Sequence, residues 1–304
     1  MSDSASRIAA PRVSITDHHI FAVVNTLAQE RAGASRIVDA GCGDGKMMAY
    51  LDSQLRGVGR DAEVHGFDVV DALTESSAFP GRTVERLSDM SPTVDWASRV
   101  RAKTVKEPWP YDDESLDVVV SNNVLEHVFD RPAFFAELAR TLRPGGFSVH
   151  VFPLRRVLHE FHLAMPLVHK VADTRQRRWL IDRFTRLGLG TFATHRELDG
   201  IDRGTYAETR ADFIDFGTIY PTYRNLADEA KQVRLRMHHH FTRHMYAQRV
   251  RTAWGKSMVD IYETDLTPIR DASAFAVLPY LATVTLVFER PEAVGSWRSA
   301  GHGG

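Results

Sequence analysis

The sequence predicts an α/β protein built on a mostly parallel sheet with helices on both of its faces. Three observations predict it. Up to residue 152, short apolar runs alternate with segments whose apolar residues recur at helical spacing, and strand-helix-strand repetition at this spacing implies parallel strands with helices crossing over on either side. At residues 37–45 an apolar strand runs into a glycine turn and then a helix. Hydrophobic residues make up 43% and charged residues 25% of the chain, close to the average of a folded globular protein.

Taken in order, Thr16 or Asp17 is placed to cap a helix whose Ile20, Val23, Val24 and Leu27 fall at i, i+3, i+4 and i+7, with Gly33 placed to stop it. Residues 36–40 read as a strand, 46–55 as a helix with Met48, Leu51 and Leu55 on one face, and 63–68 as a second strand. Residues 69–106 are less regular, with turn signals at Pro80-Gly81 and Ser91-Pro92, and read as a crossover enlarged by a surface insertion. Residues 116–121 form a further buried strand, 132–142 a helix with Phe135, Leu138, Ala139 and Leu142 on one face, and 147–152 another strand. Beyond Pro153 the alternation stops. A helix near residues 174–187 ends at Gly188, an irregular stretch follows to Pro221, and the segment reads as a helical cap. Tyr223, Leu226, Ala230 and Val233 recover helical spacing, Val233, Leu235 and Met237 then alternate with Arg234, Arg236 and His238 as in a strand, and residues 280–289 give the last strand.

The 304 residues ask for one large or two modest cores. Lys and Arg number 38 against 39 Asp and Glu, a balance that argues against a nucleic-acid partner, whose phosphates call for a basic excess. The single cysteine, Cys42, excludes an internal disulfide and any cysteine-rich zinc module. The start of the chain has no apolar signal region, and the longest nearly apolar run, residues 275–288, is too short for a membrane span and contains Pro279. A cytoplasmic protein is expected. Histidine is unevenly placed: nine of the 14 lie between His150 and His244.

The densest chemical signal is Ile37-Val38-Asp39-Ala40-Gly41-Cys42-Gly43-Asp44-Gly45. Glycines there let a ligand approach the backbone where the unpaired N–H groups of a helix start point outward. The second strand ends at Asp68, 23 residues beyond Gly45, where a carboxylate accepts from both hydroxyls of a ribose. Together these point to a nucleoside cofactor. A dinucleotide fingerprint would be G-x-G-x-x-G, but the glycines fall at 41, 43 and 45, and Lys46 stands where the third is wanted, which disfavours a nicotinamide cofactor.

These residues, with Gly66-Phe67-Asp68, the run from Trp109 through Asn122 to Leu125-Glu126-His127-Val128, and Leu142-Arg143-Pro144-Gly145-Gly146, resemble the class I S-adenosylmethionine (SAM)-dependent methyltransferases with type 11-like motifs. The resemblance covers residues 16–152 and the final strand. It implies a Rossmann-like, doubly wound, seven-stranded sheet, mostly parallel with an antiparallel last strand, and the helical cap inserted after strand five. It also implies a division into a flexible leader (1–15), a SAM-binding core (16–152), an acceptor-binding cap (153–235), a return to the core (236–290) and a tail (291–304). For the cofactor it implies Gly41, Cys42 and Gly43 facing the methionine part, Asp39 holding the loop and the amino group, Asp68 the ribose, Val69 the adenine, and Asn122 beside the methionine amino group. Where many relatives carry an acid for the adenine amino group this chain has Val105, so backbone atoms or Lys106 and Glu107 would serve.

Methyl transfer from a sulfonium leaves the protein to position the acceptor and remove its proton, for which histidine is the best-tuned side chain near neutral pH. His127 is one candidate, as base or ligand, against a packing or capping role in its Leu-Glu-His-Val run. Glu126-His127 also resembles the E-x-x-E-H pattern of metal-dependent relatives in ubiquinone biosynthesis and RNA 3′-end methylation. Here Asn123 replaces the first acid, a poorer ligand, so no metal is expected unless a residue from elsewhere joins. Glu160 and His162, just past a parallel strand, are candidates for an acid–base pair, although their order is not the zinc motif H-E-x-x-H. His238 and His240 would share one face of a strand end, as ligands or as polar edge structure. Residues 155–186 carry eight Lys or Arg and three Asp or Glu, a solvated face or an attraction for an anionic acceptor, with Arg177, Arg178 and Arg183 the residues to neutralise.

The sequence thus predicts a SAM-dependent methyltransferase that O-methylates a small-molecule or sugar-containing metabolite, anionic or glycosylated, by in-line transfer with a His/Glu general base. The alternatives are a SAM-binding protein on the same fold with non-methylating chemistry or regulation, and an N- or C-methyltransferase. Partners expected are the small-molecule acceptor alone, with no nucleic acid and no membrane span.

Overall fold

The computed structural model describes residues 14–29, 36–70, 79–263 and 268–292. Seven strands form one sheet: β1 (Arg36–Ala40), β2 (Glu63–Val69), β3 (Val100–Lys103), β4 (Leu116–Asn122), β5 (Leu142–Phe152), β8 (Arg236–His238) and β9 (Val284–Glu289), in the order β3-β2-β1-β4-β5-β9-β8. The first five are parallel, and β9 runs antiparallel between β5 and β8. The sheet is therefore Rossmann-like, doubly wound and mostly parallel, as the motifs imply.

Buried on both faces, the central strands need no polar alternation, and β1 and β4 are buried almost throughout. Ile37, Val118 and Val120 point to one side, where α1 (Ile15–Gln29), α2 (Lys46–Gly57) and α9 (Phe241–Ala253) bring Ile20, Val24, Met48, Leu51, Phe241 and Met245. Val38 and Val119 point to the other, against Phe135 and Leu138 of α4 (Arg131–Thr141) and Leu226 and Ala230 of α8 (Tyr223–Gln232). Each such side chain contributes about 1.5–3 kcal/mol by leaving water. Helix α3 (Gly81–Met90) adds Leu87 to the first side, and α10 (Pro268–Leu281) leans Phe275 on the second.

Several local readings shift. Ser14 starts α1 by accepting from the Asp17 amide at 3.2 Å, in place of Thr16 or Asp17, while Gly33 lies outside the described residues. Part of the enlarged crossover, 71–78, is also outside them, and its described remainder holds α3 and the edge strand β3, whose four residues are too few to show a period. Strand β5 begins at Leu142 because the chain keeps pairing through a register shift across Pro144-Gly145-Gly146. The strand read at 233–238 starts at Arg236, since Val233 closes α8 and Arg234 takes φ +61°. Helix α10 runs to Leu281, so the last strand is Val284–Glu289.

The stretch after β5 is more regular than its sequence suggests. It contains a short hairpin, β6 (His159–Glu160) with β7 (Met165–Pro166), then α5 (Thr174–Arg186), α6 (Phe192–Asp199) and α7 (Arg203–Gly217). These close over a separate apolar cluster of Leu163, Met165, Val168, Ile181, Tyr206 and Ile214. Of the basic run only Arg177 is buried in this packing, and the other seven side chains are exposed. Arg177 is buried on Asp215 and the Val168 carbonyl, Arg178 pairs with Glu208 at 2.7 Å, and Arg183 lies over the Trp179 ring.

Two core histidines are held neutral. Burial pushes His19 on α1 and His150 on β5 down to about 3. His19 bonds the Tyr262 and Thr285 hydroxyls, and His150 the Ser121 hydroxyl at 2.7 Å. Below about pH 6.5 the unfolded chain takes up a proton that folded His150 refuses, so the native state loses about 1.4 kcal/mol per pH unit at this site. The expected result is a stability deficit of His150→Asn that shrinks by that amount per unit as pH falls from 6.5 to 5. Denaturant midpoints of the two proteins across this range check it; a constant deficit contradicts it.

Candidate functional site

The glycine turn sits at the C-terminal edge of the sheet, tied to the neighbouring strand by the Gly41 and Cys42 amides, which donate to the Phe67 carbonyl at 2.8 and 3.1 Å. Gly41 holds φ +79°, and a Cβ there would stand 2.5 Å from Val124 in the turn after β4, so only glycine lets the two loops meet. Asp68, at the end of β2, accepts from the Gly43 amide and from the Val69 amide, both at 2.7 Å. Thr83 closes the loop from α3 by donating to the Gly43 carbonyl at 2.7 Å. Cys42 is buried behind the turn.

Around this loop acids accumulate. Asp39 is 1% exposed and its Oδ1 has no hydrogen-bond partner; burial first, then Asp68, Asp17 and Asp44, push its carboxyl well above the ordinary range. Asn122, at the end of β4, donates to Asp17 at 3.4 Å and leaves its own Oδ1 buried without a partner. Burial raises Asp17 as well, whereas Lys46 and Arg86 outweigh burial at Asp44 and lower it. Buried acceptors without donors are costly, so this edge is set up to receive a cationic group with N–H donors. Nothing local in the sequence marks Asp17 as part of this edge, because a first-turn acid reads as helix capping. In the loop after β3, where the resemblance implies the adenine contacts, Val105 is exposed and the Glu107 carboxylate accepts from the Thr104 amide at 2.6 Å, turned into its own loop.

A second group lies past the same strand ends. After β4, Asn123 adopts φ +54°, a left-handed turn that asparagine tolerates, and leads into a 3-10 turn carrying Glu126 and His127. Glu126 is fully buried, neither of its carboxylate oxygens has a partner, and burial pushes it up to about 8. His127 Nδ1 lies 2.6 Å from the Gly217 carbonyl, which can only accept, so this nitrogen carries the proton and Nε2 keeps its lone pair. The His162 ring, from the loop after β6, stands edge-on to His127 at 5.1 Å between centroids, and Phe213 packs against both. His162 Nδ1 is 2.7 Å from Glu160 Oε1, Tyr220 donates to the same oxygen at 2.6 Å, and the Leu163 amide donates to Oε2 at 2.7 Å. Burial alone would raise Glu160, but these partners, His162 foremost, lower it.

The fold therefore brings together His127, Glu160 and His162, with Glu126 and Tyr220 added. Tyr220 lay in the stretch read as irregular, and only its aromatic hydroxyl marked it. The histidine triplet stays apart from this group: His238 pairs with Glu289 at 3.2 Å, and Tyr223 bonds His239 at 3.1 Å, the polar edge structure that the sequence left as one reading.

The family model of the methyltransferase domain matches residues 38–150, the stretch that carries the glycine turn and strands β1 to β5. The chain is 35% identical over 133 residues to a probable S-adenosylmethionine-dependent methyltransferase of Mycolicibacterium smegmatis, covering 44% of this chain and 43% of that protein. It is 27% identical over 138 residues to the mitochondrial ubiquinone biosynthesis O-methyltransferase of Homo sapiens, covering 45% and 34%. The chain thus matches less than half the length of these two curated relatives. A solved SAM-dependent methyltransferase from Mesorhizobium loti aligns at 15% identity over 87% of this chain and 95% of that one, with a TM-score of 0.46.

Proposed function

We propose that this chain is a SAM-dependent methyltransferase that O-methylates a small-molecule or sugar-containing acceptor, with residues 153–235 forming the acceptor cap over a cofactor-binding core. The observation that carries this reading is the pair of orphaned buried acceptors, Asp39 Oδ1 and Asn122 Oδ1, beside the glycine loop. They fit the ammonium group of a bound methionine moiety and leave few other ligands so well matched in charge. Gly41, Cys42 and Gly43 line that moiety with backbone, and Val69 packs on the adenine. A carboxylate has about four acceptor sites, so Asp68 takes the ribose hydroxyls in addition to its two amides.

Bound SAM supplies a methyl group on a sulfonium, which an acceptor oxygen displaces in line. The acceptor's proton goes to the cluster of His127, Glu160 and His162. His162 Nε2 is the basic atom, because Nδ1 donates to Glu160, and the buried carboxylate stabilises the imidazolium that forms. His127 and Phe213 hold the His162 ring in place.

Calorimetry with SAM and its demethylated product, followed by methyl-labelled SAM over extract fractions with mass spectrometry of what becomes labelled, tests this. One bound equivalent and label on a hydroxyl oxygen are expected. Absence of binding contradicts the cofactor reading, binding without any labelled product contradicts methyl transfer, and label on nitrogen or carbon contradicts the O-methyl assignment.

A further inference from the structure

We propose that Glu126, His127 and His162 bind one divalent first-row transition-metal cation at the acceptor side of the site. The proposal deepens the methyl-transfer reading, on which its catalytic part rests, while the binding itself stands on geometry alone. One ligand atom from each of the three side chains lies within 4.8 Å of the other two. A cation held at about 2.0–2.2 Å from each needs ligand separations of roughly 3–4 Å, a contraction that small side-chain rotations supply.

The donors are prepared for it. Glu126 is fully buried, neither of its oxygens has a hydrogen-bond partner, and one of them faces the two imidazoles, a carboxylate that a cation would compensate. Both imidazoles are oriented through the opposite nitrogen: His127 Nδ1–H by the Gly217 carbonyl, His162 Nδ1–H by Glu160, whose Oε1 is itself fixed by Tyr220. Both Nε2 lone pairs are thereby left to coordinate, in the carboxylate–histidine arrangement that supports ligating histidines. Three protein ligands leave a further position open, and the two histidines, both part-exposed where Glu126 is buried, mark the side from which an oxygen ligand enters.

Two nitrogens and one oxygen suit Zn²⁺, Fe²⁺ or Co²⁺ better than Mg²⁺ or Ca²⁺, which prefer all-oxygen sets. The site departs from the E-x-x-E-H pattern in this respect. Asn123 spends itself on the left-handed turn, and the third ligand arrives from the loop after β6. With a cation in place, the acceptor hydroxyl would coordinate at the open position, become more acidic and pass its proton to solvent water. His162 then serves as ligand, and acts as base only in the metal-free protein.

The test titrates Co²⁺ into the SAM-free full chain, following its visible d–d absorption and the heat of binding. One equivalent is expected, displaced by Zn²⁺ but not by about a hundred-fold excess of Mg²⁺. His162→Asn and Glu126→Gln should each weaken binding at least ten-fold, and Glu160→Gln by about ten-fold through the loosened ring. The double variant His238→Asn, His240→Asn should bind as the parent does. Because His162 is part-exposed, His162→Asn is the variant expected to keep its fold, checked by thermal melting. Absence of saturable binding, equal binding by His162→Asn and Glu126→Gln, displacement by Mg²⁺, or loss confined to the His238/His240 variant would overturn the proposal. SAM calorimetry on the same samples separates the two readings: Co²⁺ bound without SAM sinks the methyltransferase reading alone, and SAM bound without Co²⁺ sinks the cation alone.

Discussion

Asp68→Ala is expected to weaken SAM binding by about 100-fold or more, the effect of losing two hydrogen bonds to a charged acceptor at about 1.5–3 kcal/mol each. The loss has two parts. The ribose hydroxyls lose their carboxylate, and the Gly43 amide loses the acceptor that draws the glycine turn toward β2. Asp68→Asn separates them, since an amide oxygen still accepts from one amide but cannot match the charge, and should fall between the native chain and the alanine variant. The side chain is only part-buried at a strand end, so the fold should survive, which thermal melting verifies. Calorimetric affinities for SAM within a few-fold of each other across the three proteins would remove Asp68 from the cofactor site.

The second large effect is expected at His162. His162→Gln should lower kcat for methyl transfer by about 10²- to 10⁴-fold, the range of a lost general base or of its metal-bound equivalent. The dissociation constant for SAM should stay unchanged, because the ring belongs to the group past the ends of β4 and β5 and none of its contacts reaches the glycine loop. Glu160→Gln should cost less, as it leaves the imidazole in place but removes the carboxylate that orients it, and should also alter the pH profile of kcat. A His162→Gln enzyme with native kcat would place the proton acceptor elsewhere.

The two halves of the site differ in how far the sequence reveals them. The cofactor half is carried by contiguous residues, Asp39 to Gly45, and by an acid at the end of the next strand, so short-range patterning finds it. The proposed acceptor half is assembled across long separations. His127 meets Gly217, 90 residues on, and Tyr220 meets Glu160, 60 residues back. No local period encodes such meetings. Helices α6 and α7 escaped the reading of residues 188–221 for a related reason. Helix α6 buries none of its residues, so it lacks the apolar stripe that periodicity detects. Asp17 and Ser14 show the same limit at smaller scale: both suit a helix start, and only the packing of α1 beside Asn122 separates a cap from a site residue.

The backbone bonds across the acceptor side bear on how such a protein diversifies. The Ile219 amide donates to the Glu126 carbonyl at 2.6 Å, and the Arg155 amide to the Pro221 carbonyl at 2.9 Å, so residues 153–221 are stitched at their far end both to their own beginning and to the turn after β4. The stretch shared with the methyltransferase domain family stops at residue 150, before this segment begins. Exchange of the segment between related chains is therefore not a clean module swap. A graft that moves 153–221 without Glu126 and His127 takes the Gly217 carbonyl from the His127 ring and the Ile219 amide from the Glu126 carbonyl, whereas one that carries the turn along keeps both bonds.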